Sequence, residues 1–203
     1  SVILYAAGLA SLYLFGVNRL AGGDHEAVSN TRIRLMQPAI AQDEKFDRTH
    51  ASQILTTYLS LSTRGSYPSP AGMQEITHLI WPETSFPFLL DRTPKAREEI
   101  SHILPRGSVL LTGAVRAVET PDHLDQFYFN SIQMVDDAGI STASSDKVHL
   151  VPFGEYLPLE TMIDFFGVRE FIVAPGGFTA GKERAPLNVP SWPVALPLIC
   201  YEI

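Results

Sequence analysis

The chain has 203 residues, of which 45% are hydrophobic and 18% charged; this is enough apolar mass for one domain with a substantial core, and it excludes a disordered tail. Asp and Glu number 22 against 15 Lys and Arg, a formal charge of −7 with no basic block, so a nucleic-acid partner is excluded. The single cysteine, Cys200, rules out a disulfide within the chain and any cysteine-rich zinc site.

Residues 1–17 carry no charge, and the first charged side chain is Arg19. As a helix this run covers roughly 25 Å, close to the hydrocarbon thickness of a bilayer. Residues 1–23 are therefore expected to be the end of a transmembrane helix and its linker, Gly22-Gly23-Asp24-His25. A signal-peptide remnant would want a basic n-region, which is missing; a buried soluble helix is the third reading. The chain opens on Ser1 and stops at Cys200-Tyr201-Glu202-Ile203, directly after an apolar run, so both ends are expected to be cut.

Residues 24–203 are expected to form one domain. Ile33-Arg34-Leu35-Met36-Gln37 alternates as a strand and is closed by Pro38. Asp43–Ser62 is expected to be helical, with Phe46, His50, Ile54, Tyr58 and Leu61 on one face. Residues 67–72 read as a turn or loop, His78–Trp81 as a short strand running into Pro82-Glu83, and Thr93–Leu104 as a helix. Ser108–Val118 and Phe127–Val135 are strands, Asp136–Gly139 a turn, and Ile140–Leu150 a further strand or extended segment. Leu157–Phe166 is expected to be helical, Pro175–Gly181 a loop, and Val194–Ile199 a last buried strand that delivers Cys200. Strands alternating with helices predict a layered α/β domain, with antiparallel pairing around Asp136–Gly139.

Three polar residues follow apolar strands or turns: Glu83 after Ile80-Trp81-Pro82, Lys147 after Ser145-Asp146, and Cys200 after Leu198-Ile199. A strand end is a rigid mount for a reactive group. Together the three make a coherent chemistry, in which a Cys thiolate attacks, a carboxylate in a dry pocket carries the proton, and a Lys cation with the backbone N–H of Cys200 or Tyr201 stabilises the oxyanion. Singly, each has an ordinary reading: a small core cysteine, a helix-start carboxylate, a solvated hairpin lysine. The six histidines are scattered, without H-E-x-x-H or another paired spacing, and no glycine-rich phosphate loop is present; no metal and no cofactor are expected.

The neighbourhoods of the three residues carry a resemblance. Ile80-Trp81-Pro82-Glu83-Thr84, the stretch from Asp146-Lys147 through Leu150-Val151-Pro152-Phe153-Gly154-Glu155-Tyr156-Leu157-Pro158, and Ile199-Cys200-Tyr201-Glu202 occur in that order. Over about residues 30–203 the chain resembles the nitrilase superfamily of Glu-Lys-Cys enzymes and, within it, the apolipoprotein N-acyltransferase family. The resemblance implies a nitrilase-like α-β-β-α sandwich, incomplete at its C-terminus and preceded by the end of a transmembrane helix. It implies Glu83 as general base, Lys147 as oxyanion stabiliser and Cys200 as nucleophile, with Glu155, Tyr201 and Glu202 in support. The implied reaction moves a fatty acyl chain from a phospholipid donor through a Cys thioester to the N-terminal amine of a diacylglyceryl apolipoprotein. It would take place at the bacterial inner membrane, on its periplasmic side. Trp81, Phe86, Phe88 and Phe178 are candidate substrate-binding residues, with Leu89, Leu90, Phe165, Phe166 and Phe171 as further apolar walls and Pro175–Phe178 as a lid or a plain turn. Two other readings stay open: a membrane-anchored carbon–nitrogen hydrolase using the same trio, and a non-catalytic membrane-tethered binding domain.

Overall fold

The computed structural model describes residues 2–21, 30–41, 45, 47–65, 70–121, 126–156 and 177–202. Five strands form one mixed sheet in the order β1 (Ile33–Leu35), β2 (His78–Trp81), β3 (Val109–Glu119), β4 (Gln126–Asp136) and β5 (Ser141–Asp146). β1, β2 and β3 are parallel; β3, β4 and β5 are antiparallel, with β4 turning into β5 through the Asp136–Gly139 segment. It follows that β2, β3 and β5 run in one direction, so that the residues just after β2 and just after β5 emerge at the same end of the sheet.

The period-two alternation of β3 sorts its side chains to two faces. Leu110 and Ala114 join Leu79 and Trp81 of β2 and Val135 of β4 in the larger core. Two helices cover it. α2 (Ala51–Thr63) contributes Ile54, Leu55 and Tyr58, and α3 (Pro94–Ile103) contributes Ala96 and Ile100, four residues apart on one face. α2 starts later than its apolar spacing predicts. The carboxylate of Asp47 accepts the Thr49 N–H at 2.8 Å and caps a 3-10 turn over Arg48–His50, which precedes the α-helix. The Trp81 indole N–H donates to Ser62 Oγ at 3.0 Å, which satisfies the one polar atom of a ring packed on Tyr58.

On the opposite face Val109, Leu111 and Met134 pack against Leu187 and Val189 of the C-terminal segment. His78 pins that segment. Its Nε2 lies 2.8 Å from the Pro190 carbonyl, and its ring stacks on Trp192 at 4.6 Å. Residues 194–199, expected as a buried strand, do not form one. A single antiparallel bridge joins Leu187 to Ala195, while Val194, Leu196 and Leu198 are exposed. Pro193 and Pro197 offer no N–H to a ladder, which accounts for the difference.

The mixed α/β architecture is as expected, and the described residues supply one sheet with a helical layer on one face. α1 (Val2–Ala21) is 20 residues long, has no buried residue, and is long and apolar enough to cross a membrane by length and composition. The 22–25 linker, the Leu157–Phe166 helix, Phe165, Phe166, Phe171 and residues 175–176 lie outside the described residues.

Candidate active site

Glu83 owes its place to a glycine. β2 ends at Trp81, Pro82 closes it, and the ladder with β3 continues through Gly113 N–H to the Pro82 carbonyl (3.2 Å) and Ser85 N–H to the Gly113 carbonyl (2.8 Å). A Cβ on Gly113 would sit 2.5 Å from Glu83 Cα and 2.7 Å from both Pro82 O and Thr84 N. The Glu83 backbone therefore occupies the space where a β3 side chain would stand, arched over the sheet toward β4. Thr84, next to it, has a left-handed φ of 46°. The Lys45 ammonium donates to the Glu83 carbonyl at 2.7 Å. Burial holds the proton affinity of Lys45 below the ordinary lysine range, and the nearby Glu83 charge offsets part of that shift.

Lys147 follows β5 at the same end. Its N–H donates to the Asn130 carbonyl at 2.8 Å, and its carbonyl accepts Gly181 N–H at 2.8 Å. The side chain is 1% exposed, and its ammonium pairs with Glu155 Oε2 at 2.8 Å. That same oxygen accepts Val151 N–H at 2.8 Å. A buried ammonium without a partner would cost several kcal/mol, and Glu155 supplies that partner.

Asn130, on β4, joins the two halves. Its side-chain NH2 donates to Glu83 Oε1 at 2.6 Å and to Glu155 Oε1 at 2.9 Å. Glu83, Glu155 and Lys147 thus belong to one hydrogen-bonded chain. The sequence reading did not single out Asn130; its available signal was one amide inside the otherwise aromatic and apolar Phe127-Tyr128-Phe129-Asn130 run.

Cys200 is exposed and lies on a turn with a left-handed φ of 58°, a conformation that costs a non-glycine residue on the order of 1 kcal/mol. Glu202 holds that turn against the Lys147 segment. One carboxylate oxygen accepts Val148 N–H (2.8 Å) and His149 N–H (3.1 Å), and the other accepts Ile199 N–H (3.0 Å). Burial works against the Glu202 charge, but these three donors and Arg184, 3.9 Å away, outweigh it and hold its carboxyl below the usual range.

Glu83, Asn130 and Cys200 border one cavity of about 300 Å³, whose other walls include Ile80, Leu111, Ile132, Val189 and Trp192. Lys147 stands behind it, one hydrogen bond from Asn130's backbone. Among the four aromatic candidates, Trp81 borders the cavity while its indole packs into the helix-side core. The structure places Phe86 in that core, 1% exposed and 5.0 Å from the Phe88 ring, so this pair lies away from the cavity. Leu90 is fully buried there as well. Phe178 is outside the lining and is tied by its N–H to the Glu155 carbonyl at 2.7 Å. Tyr201 is 83% exposed. Among the described residues no group of three or more His, Cys, Asp or Glu side chains converges as metal ligands would.

Comparison with known proteins gives a consistent set of relatives. The chain is 43% identical over 196 residues to the apolipoprotein N-acyltransferase of Bradyrhizobium diazoefficiens, covering 96% of this chain and 36% of that protein. It is 42% identical to that of Rhodopseudomonas palustris and 40% identical to that of Agrobacterium fabrum, at the same coverages. The chain thus spans about a third of the length of these curated relatives. No family model matches it. Similar solved structures include an amidase from Nesterenkonia sp. (20% identity, 81% of this chain and 53% of that one, TM-score 0.43). Another is a variant of the Nesterenkonia sp. AN1 amidase with an acetamide moiety on its active-site cysteine (19% identity, 89% and 59%, TM-score 0.49).

Proposed function

Since this chain belongs, over the stretch it spans, to the apolipoprotein N-acyltransferase family, we propose that it is the acyl-transfer part of a membrane enzyme that N-acylates lipoproteins. The donor is a phospholipid, and the acceptor is the N-terminal amine of a diacylglyceryl apolipoprotein. The site faces the periplasm from the inner membrane. What supports this reading is an apolar cavity bordered by both Glu83 and Cys200, tied to the buried Lys147 through Asn130 and Glu155.

The reaction runs in two halves. The Glu83 carboxylate takes the Cys200 thiol proton as sulfur attacks the ester carbonyl of the donor. The carbonyl oxygen becomes an oxyanion, stabilised by the Lys147 ammonium and the N–H of Cys200 or Tyr201. Collapse breaks the ester C–O bond, and the departing lysophospholipid oxygen takes the proton back from Glu83. A thioester on Cys200 remains. The acceptor amine then attacks the thioester carbon and gives its proton to Glu83. Collapse of the second oxyanion expels the Cys200 thiolate, which is reprotonated, and an amide is released. Cys200 is the only cysteine in the chain, so within this stretch the acyl group has one sulfur to occupy. Glu155 stays paired with Lys147 throughout and exchanges no proton with substrate.

The apolar walls serve the substrate. Exposing an acyl chain to water costs about 0.8 kcal/mol per CH2, on the order of 12 kcal/mol for sixteen carbons, so a greasy cavity near the bilayer is a requirement of the chemistry. The test is intact-mass spectrometry of the full-length protein incubated with phospholipid. The expected result is a mass gain of one acyl group, absent in Cys200→Ala and slowed by two or more orders of magnitude in Glu83→Gln and Lys147→Ala. Adding a lipopeptide amine should discharge the adduct into an amide. Turnover of a small amide without acyl transfer would instead assign the trio to a hydrolase, and no adduct at all would assign the chain to binding alone.

A further inference from the structure

We propose that Asn130 is a positioning residue of this site, whose side-chain amide stands as a neutral double donor between the Glu83 and Glu155 carboxylates and keeps Glu83 free to act as the base. The proposal rests on the acyl-transfer reading for the role of Glu83, and on geometry for the rest. Both amide hydrogens are committed, one to each carboxylate, at 2.6 and 2.9 Å. The other atom of the same amide, Oδ1, is buried without a hydrogen-bond partner. A buried amide oxygen left unpaired costs about 1–3 kcal/mol. A side chain that accepts this cost while spending both hydrogens on acids is oriented for those acids.

The charges around it explain the need. Glu155 faces Lys147, which follows β5, and the N–H of Val151. Glu83 has the Lys45 ammonium on its backbone carbonyl and Cys200 across the cavity. No cation among these contacts reaches the Glu83 carboxylate itself within ion-pair distance. With Asn130 removed, two carboxylates would face each other across the vacated space, and such pairs hold one proton in common. A shared proton would disable Glu83 as acceptor for the thiol. It would also draw Glu155 off Lys147, so one substitution would weaken both the base and the oxyanion support. Glu83 arches over Gly113, and Lys147's N–H reports to Asn130's own carbonyl. The strand that carries the amide is thus the same one that sets Lys147's position.

The experiment uses full-length protein in detergent, with Asn130→Ala, Asn130→Ser and wild type. Two rates are followed from pH 6 to pH 9: thioester formation from phospholipid, and alkylation of Cys200 by iodoacetamide, which reads thiol deprotonation without any lipid. The expected result is a 10- to 100-fold slower rate for both variants near pH 7 by both assays. The deficit should shrink as pH rises, because a proton held between two acids is lost in base. A thermal melt identifies any variant that fails to fold, and Asn130→Ser, which preserves a small polar side chain, stands in for Asn130→Ala in that case. Wild-type rates in a folded variant, or a deficit constant across pH, would overturn the proposal, the latter outcome marking a packing role only. A wild-type protein that forms no thioester while its alkylation still depends on Asn130 would sink the acyl-transfer reading and leave the role of Asn130 standing.

Discussion

Glu202 illustrates how much a single carboxylate can organise without touching substrate. It collects three backbone N–H groups from two separate segments, and so sets the distance between the Cys200 turn and the residues after Lys147. Glutamine has the same shape but would offer an NH2 to one set of donors. Glu202→Gln is therefore expected to lose about 2 kcal/mol of stability, a fall of roughly 4–8 °C in thermal midpoint for a domain of this size, together with a large drop in thioester formation. The pH dependence has a definite sign. The folded carboxyl is held below its ordinary value of 4.5 by those donors, so the charged form stabilises the fold in full above that pH. That contribution disappears as pH falls through the lower folded value. The gap in thermal midpoint between wild type and Glu202→Gln should be constant near neutrality and close below about pH 4.5. A gap that persists unchanged into strong acid would remove the charge from the explanation.

At the scale of elements, the decisive contact is between β3 and the turn after β2. Gly113→Ala would place a methyl group against backbone atoms of Pro82, Glu83 and Thr84 that cannot rotate away. Overpacking of this kind costs about 1–3 kcal/mol, and a shift of about 1 Å in Glu83 costs on the order of 100-fold in rate. Gly107→Ala provides the control. Gly107 has a left-handed φ of 78° with open space around it, so that substitution should cost about 1–2 kcal/mol of backbone strain and leave thioester formation intact. Equal rates in the two variants would show that Gly113 matters only as a flexible residue. These two glycines also mark what a sequence can and cannot disclose. The strands at 78–81, 109–119 and 126–136 were legible because runs of apolar and β-branched residues have few other uses. Glu83, Lys147 and Cys200 were legible because their flanking words are distinctive. Gly113 carried a signal, since a glycine inside a strand marks a bulge or a close backbone approach, but not which segment approaches, and Asn130 needed the register of β4 to bring it opposite two acids. Phe86 and Phe88 failed as pocket candidates because an apolar run such as Phe86-Pro87-Phe88-Leu89-Leu90 carries no label for which face of the sheet it will cover. The 194–199 segment has strand composition, but Pro197 within it and Pro193 just before it withhold the ladder hydrogen bonds that would make it one.

For the molecule as a whole, the proposed reaction demands proximity to lipid. A donor whose acyl chain costs about 0.8 kcal/mol per CH2 to hydrate will not diffuse through water to a cavity of this kind, and α1 is the element suited to hold the domain at the bilayer. Its 20 residues give a length of roughly 30 Å, matching the hydrocarbon core. Leu12 lies near its middle and is exposed along with every other apolar side chain of the helix. Replacing leucine by lysine at the centre of a membrane helix changes the apparent insertion free energy by about 3 kcal/mol, more than a hundredfold in partition. Leu12→Lys should therefore abolish insertion of residues 2–21 in a glycosylation-mapping assay, where the segment is carried by a reporter and the rest of the fold has no say. Leu12→Ile should leave insertion unchanged. Lysine at Leu20, close to the helix end, should be tolerated, because a long cationic side chain there can reach the headgroups. Equal insertion with lysine at either position would mean that α1 lies on the surface or packs against protein, and another element would then have to bring the cavity to the proposed lipid donor.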